Sequence, residues 1–134
     1  MGKTIIQQAR GHGSKTYRVR RKAYSYRLKY PAKLSGEGKV VSFISSAGHT
    51  APIAKINYSE GSFYIPAFKG MVEGQKISLE SKEVLNGNIM KLKDIPVKTQ
   101  IYMIESRPKD GGIFIKTGGN SAFVSRIIGD KVFV

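Results

Sequence analysis

Cysteine is absent from the 134 residues, which removes disulfides, thiolate metal sites and cysteine nucleophiles together. Tryptophan is absent as well. No apolar run approaches the roughly 18–20 residues that a bilayer-spanning helix needs. Met1 to Arg10 offers only Ile5 and Ile6 where a signal peptide would need an apolar stretch. Acid is scarce: nine Asp and Glu stand against 23 Lys and Arg, a formal net charge of +14 with a pI near 10.1. A compact chain with that excess repels itself, so the expected partner is a polyanion. Apolar residues still make up 40% of the chain, too many for a tail that stays disordered throughout. The composition points to a soluble, intracellular protein of one ordinary domain or two very small ones.

The charge is unevenly spread. Met1 to Lys33 holds Lys3, Arg10, Lys15, Arg18, Arg20, Arg21, Lys22, Arg27, Lys29 and Lys33, and no Asp or Glu. Five of the seven arginines lie there, and the remaining 101 residues have a net charge of only +4. Ile5, Ile6, Val19 and Leu28 are too sparse for a helical stripe or a strand alternation. Gly11 and Gly13 flank His12, as in a flexible or sharply bent backbone. A purely electrostatic tail has no need of tyrosine, yet Tyr17, Tyr24, Tyr26 and Tyr30 are interleaved with the cations. Rings that stack on bases and guanidinium forks that match phosphate geometry use both residue types. The segment is expected to be an extended arm that orders on nucleic acid.

From Gly36 the texture becomes that of short strands. Lys39–Ser45, Ala51–Tyr58, Ser62–Ile65 and Gln75–Leu79 are separated by Ser46–Thr50, Ser59-Glu60-Gly61 and a turn bracketed by Gly70 and Gly74. Such strands at about ten-residue spacing suggest a small antiparallel barrel. Glu80 to Asn88 is polar and turn-like, and a second boundary is expected there. Beyond it, Gln100–Glu105, Ile113–Lys116, Ala122–Ile128 and Lys131–Val134 have strand composition, divided by Arg107–Gly112, Gly118-Gly119-Asn120 and Gly129-Asp130. The last strand must pair within its unit or with further chain. No ten-residue segment carries a helical period, and the expected fold class is all-β.

No catalytic constellation is legible. His12 and His49 lack the i, i+4 partner of a helical metal site, and no serine has a G-x-S-x-G context. Asp94, Glu105 and Asp110 read as solvated surface charges rather than a magnesium site. Gly118-Gly119-Asn120 reads either as a strand-connecting turn using positive φ or as backbone amides for a phosphate.

Several fragments in order resemble a known family. Arg10–Arg18 (RGHGSKTYR), Ala51–Lys55, Gly70–Gln75, Gly87-Asn88-Ile89 with Pro96, Arg107–Gly112 and Gly118–Ala122 together resemble large-subunit ribosomal protein L two, in its archaeal and eukaryotic branch. The resemblance implies a basic extension over 1–35, an OB-fold barrel over 36–83 and an SH3-like barrel from 84 that is incomplete at 134. It implies a structural, non-enzymatic role in folding and holding large-subunit ribosomal RNA, in subunit association and in support of the peptidyl-transferase region. Family members continue past this point into a glycine-rich basic tail whose histidine is discussed for peptidyl transfer, and nothing here matches it. Departures include His49 where an arginine is usual, Ser46 and Ala47 in place of Asp-Pro, Ser121 in place of tyrosine, and Lys98 in place of a turn glycine.

The candidate RNA contacts in the arm are Arg10, His12, Lys15, Tyr17, Arg18, Arg20, Arg21, Lys22, Arg27 and Lys29. In the rest of the chain they are His49, Lys55, Lys109, Lys116 and Asn120. The expected partners are large-subunit ribosomal RNA and neighbouring ribosomal proteins in a cytoplasmic ribosome, with no membrane, no homo-oligomer and no cofactor beyond RNA-associated magnesium. The alternative is a single-strand RNA-binding or translation-factor module off the ribosome, which would expose aromatics on the strand face, with Phe43, Tyr58, Phe63, Tyr64 and Phe68 as candidates. A nuclease or RNA-modifying enzyme is a further alternative.

Overall fold

The computed structural model describes residues 2–134; Met1 and the side chain of Tyr24, one of the arm tyrosines named above, lie outside the described part. The β-branched runs between glycine turns form β1 (Glu37–Ile44), β2 (Ile53–Tyr58), β3 (Gly61–Pro66) and β4 (Lys76–Ser78). All four lie within two residues of the expected strands. They make one antiparallel sheet in the order β3-β2-β1-β4. The two-residue turn Ser59-Glu60 sets the β2–β3 register, with Tyr58 opposite Gly61 and Ile56 opposite Phe63. Val40, Ile53, Ile56, Ile65, Ile77 and Leu79 are each 2% exposed or less and form the core. Burial of each such side chain is worth about 1.5–3 kcal/mol. A bulge between Val40 and Ser42 makes Val41 the extra residue of β1. Val40 stays inside while Val41 is 43% exposed, and the strand bends there.

The protein is all-β, as expected, but the sheet of 37–78 is not a closed barrel: no ladder joins β3 to β4 among the described residues. Both edges are covered by other chain. On β4, Ser78 N donates to Asn88 Oδ1 at 3.0 Å and Ile89 N donates to Ser78 O at 2.9 Å. On β3, Lys29 N of the arm donates to Tyr64 O at 3.3 Å. Covered edges offer no template for pairing with another chain.

The arm has two parts. Residues 2–22 are exposed apart from half-buried Ala9. They hold one turn of helix, α1 (Ile6–Ala9), and bends at Gly11 and Gly13 with φ of +83° and +70°. A short 3-10 turn over Arg21–Tyr24 follows. From Ala23 the chain packs. Leu28 is 6% exposed, and Tyr26, Tyr30 and Leu34 lie against the same core. The sequence pattern leaves Leu28 without apolar neighbours at core spacing; in the fold its neighbours are tyrosines and the sheet. Tyr26 meets Tyr64 edge-on at 5.3 Å and Tyr30 meets Phe63 at 6.3 Å.

Beyond residue 80 the strands are short. β5 (Gln100–Ile101) pairs with β6 (Ala122–Phe123), and β7 (Arg126–Ile128) with β8 (Lys131–Phe133). The strands expected over 100–105 and 113–116 are cut down because Met103 and Ile115 adopt φ of +53° and +51°. That left-handed conformation is costly for a β-branched residue and breaks the pleat. What remains is an isolated bridge between Ile104 and Phe114, with Met103 N donating to Ile115 O at 2.9 Å. The final strand pairs within this region, through β7.

Candidate nucleic-acid interface

The fold sorts the predicted contact residues into four places. Arg10, His12, Lys15, Tyr17, Arg18, Arg20, Arg21 and Lys22 all lie on the exposed part of the arm. Little there binds them to the protein: the Arg10 guanidinium sits 6.0 Å from the Tyr17 ring centroid, and Tyr17 is itself 44% exposed. Lys55 is alone on β2, between Ser42 and Tyr64 of the flanking strands, and half-buried.

Lys29 and Lys109 gather at the loop 105–112. Two carboxylates organise that loop from within. Asp110 accepts the backbone N–H groups of Ser106, Arg107 and Gly112 at 2.9–3.1 Å, and Glu105 accepts those of Lys109 and Gly111 at 3.0 Å. Partial desolvation pushes the Asp110 carboxyl up, but those three N–H groups and the Lys29 cation outweigh it and hold its pKa below the ordinary value. The arm is clamped to the loop by Tyr30 N donating to Gly111 O at 2.9 Å. Burial, with the neighbouring Tyr102 and Glu105, raises the Tyr30 phenol far above its usual range. Burial also raises Tyr102, to about 12; its hydroxyl donates to Pro66 O at 3.1 Å.

Arg27, His49 and Lys116 come together from three separate segments around one cavity. Lys116 Nζ donates to Leu28 O at 3.3 Å, which fixes the lysine against the arm. Ser46, buried at 8%, places His49: its Oγ lies 3.1 Å from His49 Nδ1 and accepts Gly48 N–H at 3.4 Å. The Ser46 hydroxyl thus holds the Nδ1 edge of the His49 ring, and Nε2 is the ring nitrogen left for a ligand. Asn120 sits beside this cavity in a turn, its N–H bound to Thr117 O at 3.1 Å.

Sequence reasoning missed that Arg27, His49 and Lys116 share a site. The available signals were Gly48 and Gly118. A Cβ on Gly48 would fall 2.3 Å from Ala23 O, and one on Gly118 would fall 2.5 Å from Ala51 Cβ. Both glycines are therefore set by close approach of chain segments.

Among the described residues no group of three His, Asp or Glu could hold a metal ion. No helix is long and apolar enough to cross a membrane. The three ion pairs within 4.0 Å among the described residues use Lys33, Lys76 and Lys91, so no arginine guanidinium there is paired with a carboxylate.

Fold and site together define a small, strongly basic all-β protein in which the arm's arginines have no internal counter-charge. The chain is 38% identical to the large ribosomal subunit protein uL2 of Hyperthermus butylicus over 138 aligned residues, 35% to that of Sulfolobus acidocaldarius and 38% to that of Archaeoglobus fulgidus. Each alignment takes in all of this chain and 58% of the relative's length. No family model matches the chain. The chain belongs to the uL2 family of ribosomal proteins, over the part of the family's length that it spans.

Proposed function

We propose that the chain is a structural, non-catalytic component of the large ribosomal subunit in the cytoplasm, that it binds large-subunit ribosomal RNA, and that it touches neighbouring ribosomal proteins. The observation that carries this reading is the exposed, uncompensated arm: Arg10, Arg18, Arg20 and Arg21 project from the body with no acidic partner. Guanidinium groups in that state are suited to bidentate phosphate contacts. Phosphate neutralisation, with release of condensed counterions, drives the association. Extended, the exposed residues 2–22 reach roughly 70 Å, far enough to tie together RNA helices that the two β regions do not both touch. In this proposal 1–35 is the basic extension, of which 2–22 order on RNA and 23–34 are docked on the sheet, 36–83 is the OB-type unit and 84–134 the SH3-type unit.

The off-ribosome single-strand module fits less well. Phe63 is buried, Tyr58 packs against it at 5.5 Å, and Tyr64 is covered by Tyr26. Phe43 and Phe68 are half-buried against the same core. Sedimentation of the tagged chain from lysate tests the choice: co-migration with the large ribosomal subunit supports the proposal, and a free pool at the top of the gradient refutes it.

A further inference from the structure

The cavity lined by Arg27, His49 and Lys116 has a volume of about 690 Å³, within the range of small-molecule sites. The geometry points to this cavity as the seat of one unpaired RNA base, an inference that rests on the RNA-binding reading above. Leu28 and Pro66 give it apolar walls, Tyr26 adds an aromatic ring, and Arg27, Lys116 and His49 supply the polar groups. No carboxylate lines it among the described residues. Arg27 is exposed and Lys116 and His49 are half-buried. None of the three is in an ion pair.

That chemistry suits a nucleotide rather than a phosphate alone or a duplex surface. A base has two apolar faces and a polar edge, and its phosphate is an anion. The apolar walls and the Tyr26 ring take the faces, while His49 Nε2 and the remaining Lys116 N–H groups reach the edge or the sugar. Arg27 meets the phosphate from the solvent side. A paired base cannot enter a concavity, because its faces are already stacked; an extrahelical one can. The tyrosine is held for the purpose by its edge-on contact with Tyr64, 5.3 Å between centroids. The close approaches at Gly48 and Gly118 set the separation of the walls.

The test uses the whole chain and three RNA hairpins of identical sequence: an uninterrupted stem, the same stem with one bulged adenosine, and the same bulge made abasic. The abasic bulge keeps the bend and the phosphate but removes the base. The adenosine bulge is expected to bind about tenfold more tightly than the abasic one, the range of one base–aromatic stack, with the abasic bulge close to the plain stem. Thr117, an exposed lining residue, gives a variant, Thr117→Trp, whose indole takes up space that a base would need. With its thermal unfolding unchanged, it is expected to lose the tenfold preference and keep its affinity for the plain stem. Equal binding of adenosine and abasic bulges overturns the cavity assignment and leaves RNA binding intact. Retention of the preference by folded Thr117→Trp overturns it too. Failure of all three RNAs to bind sinks the RNA-binding reading itself.

Discussion

Replacing Leu28 with alanine separates the part of the arm that belongs to the fold from the part proposed to order on RNA. Leu28 is 6% exposed and sits in the same cluster as Phe63, Ile65 and Met103. Leucine-to-alanine changes in cores cost about 2–5 kcal/mol, from lost transfer energy plus the cavity left behind. Here the lower half applies, about 2–3 kcal/mol. The site is at the sheet edge, and the flanking Tyr26 and Tyr30 remain to hold the segment. Whole-domain stability is of the order of 5–15 kcal/mol, so the loss is a substantial fraction of it. In urea, with a slope of roughly 1–3 kcal/mol per molar, the midpoint should fall by about 1–2 M. A local readout goes with it. In the RNA-free chain trypsin should cut first at Arg18, Arg20, Arg21 and Lys22, which are exposed, while Arg27 and Lys29 are protected by the bond from Lys29 N to Tyr64 O. Leu28→Ala should bring Arg27 and Lys29 up to the cutting rate of Arg18. A stability change under about 0.5 kcal/mol, together with equal cutting of Arg18 and Arg27 in the unaltered chain, would show that 23–34 is not docked.

Replacing Arg18, Arg20, Arg21 and Arg27 by alanine should weaken binding to large-subunit RNA and make the slope of log K against log salt shallower by about 3, four phosphate contacts at roughly 0.7–0.9 each; an unchanged slope contradicts the proposed contacts. Gly48→Ala places a methyl 2.3 Å from Ala23 O, a backbone atom that must move. A loss of about 1–3 kcal/mol in thermal or chemical unfolding is expected, and a neutral result would mean the loop and arm do not meet there. Alkali should destabilise the fold through Tyr30 and Tyr102, both raised above the ordinary value of 10, the latter to about 12. The unfolded chain loses those protons first, so the stability they supply is complete below about pH 10 and declines up to pH 12, by as much as roughly 2.7 kcal/mol per pH unit when both are counted. Denaturant midpoints that stay flat from pH 10 to 12 would exclude it.

The central sheet was legible because β1 to β4 combine alternation with glycine turns, two signals that agree. Lys98 was legible in another way. The resemblance marks it as a replacement for a turn glycine, and its φ is +69°. Met103 and Ile115 were not, since their composition says strand and their left-handed backbone is imposed by the pairing of Met103 N with Ile115 O. Barrel closure was overestimated because sequence does not show which segment will occupy an edge. Here the edges go to Lys29 and to Asn88 and Ile89. The site divides similarly. The arm's charge is a local property and can be counted, whereas the Arg27–His49–Lys116 grouping depends on three segments meeting, and no periodicity encodes that.

The placement of the acids explains why the arm needs an external partner. Glu37, Glu60 and Glu80 face lysines at 3.6, 3.9 and 3.0 Å. Glu73, Glu105 and Asp110 accept backbone N–H groups. Six of the nine carboxylates are thus engaged within the fold, and no arginine guanidinium is among their partners. The side chains of residues 2–22 carry seven positive charges, and those of residues 23–134 carry a net +7 as well. Arm and body therefore repel each other, and collapse of the arm onto the sheet would bring like charges together in a setting less screened than water. Only a polyanion reverses the sign of that interaction. Ordering some twenty residues at that moment costs conformational entropy on binding, which places the affinity largely in the electrostatic term. Steep salt dependence is then a direct consequence of how few carboxylates this chain has and where they are held.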